Sequence, residues 1–310
     1  MSGRAAEFIA TRNGQAVAAP ALIPVRPMYW SIRRELWASR WIYLAPIVAA
    51  AVSFCGFLVA LATGAAGLRF LPALVAAHQH ESIARPYHMA SGFLMLVAMV
   101  TAAFYCIGAL QDERHDGSIL FWKSLPVSDR TAVLAKASIP IVLLPLLTFA
   151  IAAVLHLLML LVSTVVLWGK GLDPAMLWTQ LSFPRMTQML LYHMVAIHAL
   201  CHAPFYAWLL FVSAWARRAV FVWAALPPFA IGVLERMIFG TSHFIDMLYN
   251  RLAGGGTEAL TAPGTMPMDA LTHATLGAFL LSPGLWIGLA LTGVFLAASI
   301  RLRHDRGPID

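Results

Sequence analysis

Ile42-Tyr43-Leu44-Ala45-Pro46-Ile47-Val48-Ala49-Ala50-Ala51-Val52-Ser53-Phe54-Cys55-Gly56-Phe57-Leu58-Val59-Ala60-Leu61 is a run of twenty residues without one charged side chain. As a helix it would be about 30 Å long, which is the thickness of a bilayer's hydrocarbon core. Residues 89–110 repeat the feature over twenty-two positions. Four further apolar stretches follow, at 137–168, 187–215, 219–239 and 283–300. The expected fold is all-α: a polytopic integral membrane protein whose six transmembrane helices fill residues 42–300. The third stretch, with thirty-two residues, exceeds what a bilayer needs and should tilt or project. Pro227-Pro228 is expected to interrupt the fifth, which also carries Glu235-Arg236 near its end.

The composition agrees. The 310 residues are 60% hydrophobic and only 11% charged, with a mean hydropathy of +0.77, whereas an average globular chain is about 25% charged. This excludes a soluble enzyme, a disordered chain and a nucleic-acid binder. Cys55, Cys106 and Cys201 are odd in number and all lie in apolar runs, so no disulfide framework is implied.

Six spans put both ends of the chain on one side. On that side fall Arg4, Arg12, Arg26, Arg33, Arg34 and Arg40, then Arg114, Lys123, Arg130 and Lys136, then Arg217 and Arg218, and finally Arg301, Arg303 and Arg306. These are fifteen of the 21 Lys and Arg residues, and the positive-inside rule places them in the cytoplasm. Eight acids accompany them, which leaves the whole formal charge of +7 on the cytoplasmic side. Orientation accounts for the basic balance without an anionic partner. Residues 1–26 read as a disordered cytoplasmic segment and 301–310 as a cytoplasmic tail. No cleaved leader is expected, because the first span is its own insertion signal. No internal repeat is visible.

The loop at 111–136 carries most of the information. Gln111-Asp112-Glu113-Arg114-His115-Asp116-Gly117-Ser118 is polar, and Ile119-Leu120-Phe121-Trp122 is apolar. Pro126 stops the segment, and Ser128 is placed to cap the third span. A short helix that is charged at one end and aromatic in the middle is either an interfacial anchor or a docking ridge for a soluble partner. Gly117 permits a bend or a close backbone approach between the two halves.

The string Glu113-Arg114…Gly117-Ser118…Phe121-Trp122-Lys123-Ser124-Leu125-Pro126-Val127-Ser128…Lys136 resembles the first cytoplasmic loop of type 2 ATP-binding-cassette (ABC) exporter permeases. The six-span layout with both ends inside is similar too. That resemblance implies a coupling helix seated in a cleft of a separate ATPase subunit, with Glu113, Arg114, Asp116, Gly117, Ile119, Phe121, Trp122 and Leu125 as coupling residues. Two ATPase copies would bind ATP and Mg, and this chain would bind no cofactor and catalyse nothing itself. A second permease subunit, identical or related, would supply the other half of the path. The setting would be a plasma membrane, the inner membrane of a bacterium. The chain contains no G-x-x-x-x-G-K-[ST], so the phosphates would be held elsewhere.

Residues 27–41 precede the first span. On a helix, Tyr29, Ile32 and Leu36 fall along one line and Trp30, Trp37 and Trp41 along another, with Arg33 and Arg40 between. Trp with Arg suits a helix in contact with membrane lipid headgroups. In the family this is the connecting helix, which implies that Trp30, Arg33, Arg34 and Trp37 also approach the ATPase.

The fourth span holds His193, His198 and His202 beside Cys201, with Pro204 following. His198 and His202 share a helix face, a spacing open to interhelical hydrogen bonds, to substrate contact or to a metal. No acid lies in that span, so the expected metal content is none. His156, alone in the third span, reads as packing. Glu235-Arg236 is either a solvated pair or, by the resemblance, a lining or gate of the exit. Between spans five and six, 241–282 contains two stretches with helical apolar spacing. The family places short re-entrant or extracellular helices there. Two alternatives remain: a membrane-embedded metalloenzyme using His198 and His202, and a secondary transporter, which a buried acid–base relay would have favoured.

Overall fold

The computed structural model describes residues 27–64, 80–124, 127–253 and 280–306. Every regular element among them is helical. In chain order they are α1 (Pro27–Ala38), α2 (Trp41–Ala62), α3 (His80–Ala109), α4 (Gln111–His115), α5 (Ser118–Ser124), α6 (Asp129–Ser138), a π-helical turn π1 (Ile139–Leu143), α7 (Leu144–Gly169), α8 (Ala175–Gln180), α9 (Phe183–His193), a second π-helical stretch π2 (Met194–Cys201), α10 (Ala203–Trp215), α11 (Val220–Phe239), α12 (His243–Ala253) and α13 (Pro283–Asp305).

Among the described residues, five helices are long and apolar enough to cross a membrane, and a sixth crossing exists if the bent pair Ala175–Cys201 and Ala203–Trp215 is one span. Val59, Phe93, Val165, Phe229 and many other large apolar side chains stand exposed on the outside of the bundle. Such a surface suits hydrocarbon rather than water.

The third crossing is one helical unit over Asp129–Gly169, 41 residues long. That is about 60 Å, twice what a bilayer needs. The surplus is α6, which packs against α1 and α13. Ser128 caps it, accepting a hydrogen bond from the Thr131 amide at 3.2 Å. The π1 turn contains Pro140, whose missing N–H loosens the local ladder.

The fourth crossing departs from the single stretch expected at 187–215. It bends by 41° between Cys201 and Ala203. Pro204 accounts for the break: it has no N–H, and its ring crowds the carbonyl four residues back. Pro227-Pro228, by contrast, does not interrupt α11, which runs helical from Val220 to Phe239. In hydrocarbon an opened backbone costs more than two missing hydrogen bonds, so the helix persists. Gly240 ends it in the left-handed conformation at φ 69°, with its amide bonded to the Arg236 carbonyl at 3.1 Å.

α3 is the central helix, contributing to both halves of the core. Away from the loop, Tyr87 and Leu94 pack with Phe57, Leu155 and Met159. Nearer the loop, Ala98, Ala102 and Cys106 form a small-residue stripe at four-residue spacing, and Ile42, Ile139, Tyr206 and Leu210 close over it. α10 packs along α13 and also against α3. α11 touches mainly α10 and α12 and is the least buried crossing.

Candidate functional site

The loop between α3 and α6 is built from both ends of the chain. Ser213 of α10 is fully buried, and its Oγ accepts the Leu110 and Gln111 amides at 3.1 and 3.0 Å, so a side chain from another crossing caps α4. Gly117, at φ 72°, makes the bend between α4 and α5. Asp116 Oδ1 then accepts the Ser118 amide at 2.9 Å at the start of α5.

Behind this bend lies a charge-balanced cluster. The Glu113 carboxylate receives Arg34 Nη2 at 2.9 Å, Lys136 Nζ at 3.1 Å and Arg303. Glu35 receives Lys136 Nζ at 3.0 Å, Arg34 Nη2 at 2.5 Å and the Tyr105 hydroxyl at 2.9 Å. Arg303 Nε also reaches Asp129 at 3.1 Å. Three carboxylates therefore face three cations contributed by α1, α4, α6 and α13. Glu35, Glu113, Lys136 and Arg303 are all buried. Burial alone raises the Glu35 pKa, but Lys136 and Arg34 more than reverse this and hold the carboxyl below its ordinary value. α1 and the C-terminal end of α13 consequently meet at one end of the bundle, joined through Glu113.

Further basic side chains close helix C-termini around the cluster. Arg114 donates to the Ala214 carbonyl at 2.8 Å, and Arg306 to Trp215 at 2.5 Å, at the end of α10. Lys123 donates to the carbonyls of His304 and Arg306 at 3.1 and 3.2 Å, at the end of α13. Cations there complement the last, otherwise unpaired carbonyls.

This arrangement corrects the expected docking surface. Glu113 and Arg114 turn inward, to satisfy buried partners within the chain. Ile119 is only 1% exposed, packed inward by the helical twist of α5, so it is no part of an outer ridge. The Trp122 ring covers the Arg34 guanidinium at 3.8 Å. What projects is Leu120 and Phe121, 61% and 59% exposed, with Asp116 exposed at the bend. Leu125 lies outside the described residues.

On α1, Ile32 and Leu36 pack into the core, and Trp30 and Trp37 stand exposed. Arg33 stacks between them, 5.3 and 4.6 Å from the two rings. The sequence reading missed Glu35 and Arg303. The signal for Glu35 was present: an acid framed by Ile32 and Leu36 on the apolar face of α1. Ser213 offered none, because a lone serine in an apolar run has many uses.

The histidines join helices. His198 Nε2 donates to the Met95 carbonyl at 3.0 Å, and His202 Nε2 to the Leu252 carbonyl at 3.1 Å. His156 lies 2.7 Å from Ser91 Oγ. No cluster of three or more His, Cys, Asp or Glu residues placed for a metal occurs among the described residues. The double variant His198→Ala with His202→Ala loses two interhelical bonds, each of order 0.6 kcal/mol. It should therefore purify as a monodisperse protein with an unchanged metal content. Stoichiometric metal in the unaltered protein, lost in this variant, would overturn that reading.

Glu235 caps α12: its carboxylate accepts the His243 and Phe244 amides, both at 2.8 Å, and the Thr241 hydroxyl at 2.8 Å. Arg236 reaches the Gly240 carbonyl at 3.4 Å. The pair thus forms the turn between α11 and α12. α12 in turn folds back against the bundle, with Arg251 donating to the Gly284 carbonyl at 2.9 Å. The second expected helical stretch, 269–281, lies almost wholly outside the described residues.

Among the described residues, every regular element is helical, five or six helices are of membrane length, and a charge-pinned loop lies at one end. In comparison with known proteins, no family model, no curated protein and no solved structure matches the chain.

Proposed function

We propose that this chain is one of two permease subunits, identical or related, of an ATP-driven exporter in a bacterial inner membrane. The loop 111–124 is its coupling element and sits in the cytoplasm with both ends of the chain. The observation that carries this reading is the combination of an exposed Leu120–Phe121 ridge with a buried ion cluster directly behind it. A ridge alone would be an anchor; this one is fastened to α1, α6 and α13. Force applied at Phe121 passes through α5 and α4 to Glu113, and from there to three other helices at once. The ATPase subunits, two copies carrying ATP and Mg, draw the paired loops together when they close on nucleotide, and the path changes the side to which it opens. The chain itself carries no catalytic residue and no resident cofactor.

The direct test is isolation of the tagged chain from its native membranes in mild detergent. The expected companion is a subunit containing a G-x-x-x-x-G-K-[ST] phosphate loop in roughly equal amount, with ATP hydrolysis in the complex. A chain that purifies without such a subunit, yet still moves solute when reconstituted alone, would refute the proposal.

Orientation is tested separately. In a background with Cys55, Cys106 and Cys201 replaced, Ser124→Cys should react with an impermeant thiol reagent only after the membrane is opened. Lys170→Cys should react from outside intact cells. Labelling of Ser124→Cys from outside would invert the topology.

A further inference from the structure

We propose that the cleft between α1, α2, α3 and the α4–α5 bend binds an amphiphile with a cationic amine head and an apolar tail. A cavity of about 420 Å³ opens in front of the ion cluster, with Trp41, Phe104, Asp112, Asp116, Ser118 and Trp122 among its lining residues. An apolar groove of about 590 Å³ adjoins it, lined by Trp41, Ala45, Leu96, Val97, Val100 and Phe104 together with Thr101. Trp41 and Phe104 belong to both. The two spaces therefore form a polar chamber that leads into an apolar slot between two crossings, the shape of a head and a tail. Each has the volume of a ligand site.

Charge selects the head. The other ionised groups of the chamber, Arg34, Glu35, Glu113 and Lys136, already pair with one another. Asp112 and Asp116 are left over: both are exposed, and no ion pair reaches either among the described residues. Asp116 takes hydrogen bonds from the Ser118 amide and side chain, neither of which brings a positive charge. Two carboxylates without an ion pair, beside indole and phenyl rings, favour an ammonium by charge and by cation–π attraction, although Lys136 and His115 lend Asp112 some positive potential. A sulfate or phosphate head would meet the same carboxylates with repulsion.

Access is sideways. Trp41, Leu96, Val100 and Phe104 are all at least two-fifths exposed on the outside of the bundle, in the halves of α2 and α3 nearest the loop. An amphiphile in that leaflet can slide its tail into the slot while its head enters the chamber. The site rests on the membrane reading and deepens the permease proposal by naming the class of molecule taken up, beside the element that moves.

The test uses the full chain alone in dodecyl maltoside micelles, with a dodecylamine that carries a diazirine at the end of its chain. Photolabelling should concentrate on residues 41–45 and 96–104. Dodecyltrimethylammonium should displace the probe, and dodecyl sulfate should not. The double variant Asp112→Asn with Asp116→Asn should need about tenfold more probe for half-maximal labelling, as befits lost charge-assisted contacts. Glu235→Gln should label as the unaltered chain does. The site is overturned if dodecyl sulfate competes equally, if the double variant labels normally, or if α11 labels as strongly as α2 and α3. Should the double variant aggregate, competition in the unaltered chain decides. No ATPase is present in the assay, so its outcome and that of ATPase docking are independent.

Discussion

Glu113→Gln is expected to cost about 3–5 kcal/mol of stability, the usual penalty for removing one partner of a buried ion cluster. The substitution keeps the shape and removes one negative charge from a set of three carboxylates and three cations. Arg34, Lys136 and Arg303 then share only Glu35 and Asp129. Lys136 and Arg303 have side chains only 4% exposed and cannot turn to water. The measurement is apparent melting temperature and monodispersity in detergent. Pairing Glu113→Gln with Arg303→Met restores charge balance and should recover most of the loss, because removing both members of a buried pair is close to neutral. If Glu113→Gln alone melted like the unaltered protein, the cluster would be solvated and could not transmit force.

Phe121→Ala is expected to weaken association with the ATPase by about 2 kcal/mol, roughly 30-fold, the size typical of a central aromatic anchor. Leu120→Ala should have a smaller effect in the same direction. Neither side chain supports the fold: both are more than half exposed, and α5 is held by Ile119, Trp122 and Lys123. The variants should therefore insert and melt normally, separating this prediction from the first. Ile119→Ala should do the reverse, lowering stability by about 2–5 kcal/mol as a buried truncation. Its effect on docking would follow from the altered position of α5. Association is read by co-purification at graded ATPase concentration. Full association of Phe121→Ala would leave the ridge as a membrane anchor.

The crossings were legible because hydrocarbon imposes one simple demand, a long uncharged run, and the observed limits differ from the expected ones mostly at helix ends. The exceptions are instructive. Pro204 broke its helix and Pro227-Pro228 did not, although the local chemistry is the same. The difference lies in what surrounds each: Pro204 is buried at a helix junction, whereas α11 is the least buried crossing. Composition alone carries no such information. In the loop, which residues face outward depended on partners far away in sequence. Glu113 turns inward because Arg34 and Arg303 lie 79 and 190 positions away. A periodicity argument along α4 and α5 cannot see them. Glu235 stood out as a charged group near a helix end, but that it also caps a helix beginning eight residues later depended on the turn between the two helices.

The central claim is that Phe121 sits in an ATPase and not in lipid or water. A photo-reactive phenylalanine analogue in place of Phe121, introduced into the intact complex, tests this directly. Illumination is expected to join the chain to the ATPase subunit, with a yield that changes when ATP binds, while the same analogue in place of Phe229 on α11 gives no such product. Crosslinks at position 121 to lipid alone, in a complex that still contains the ATPase, would contradict it.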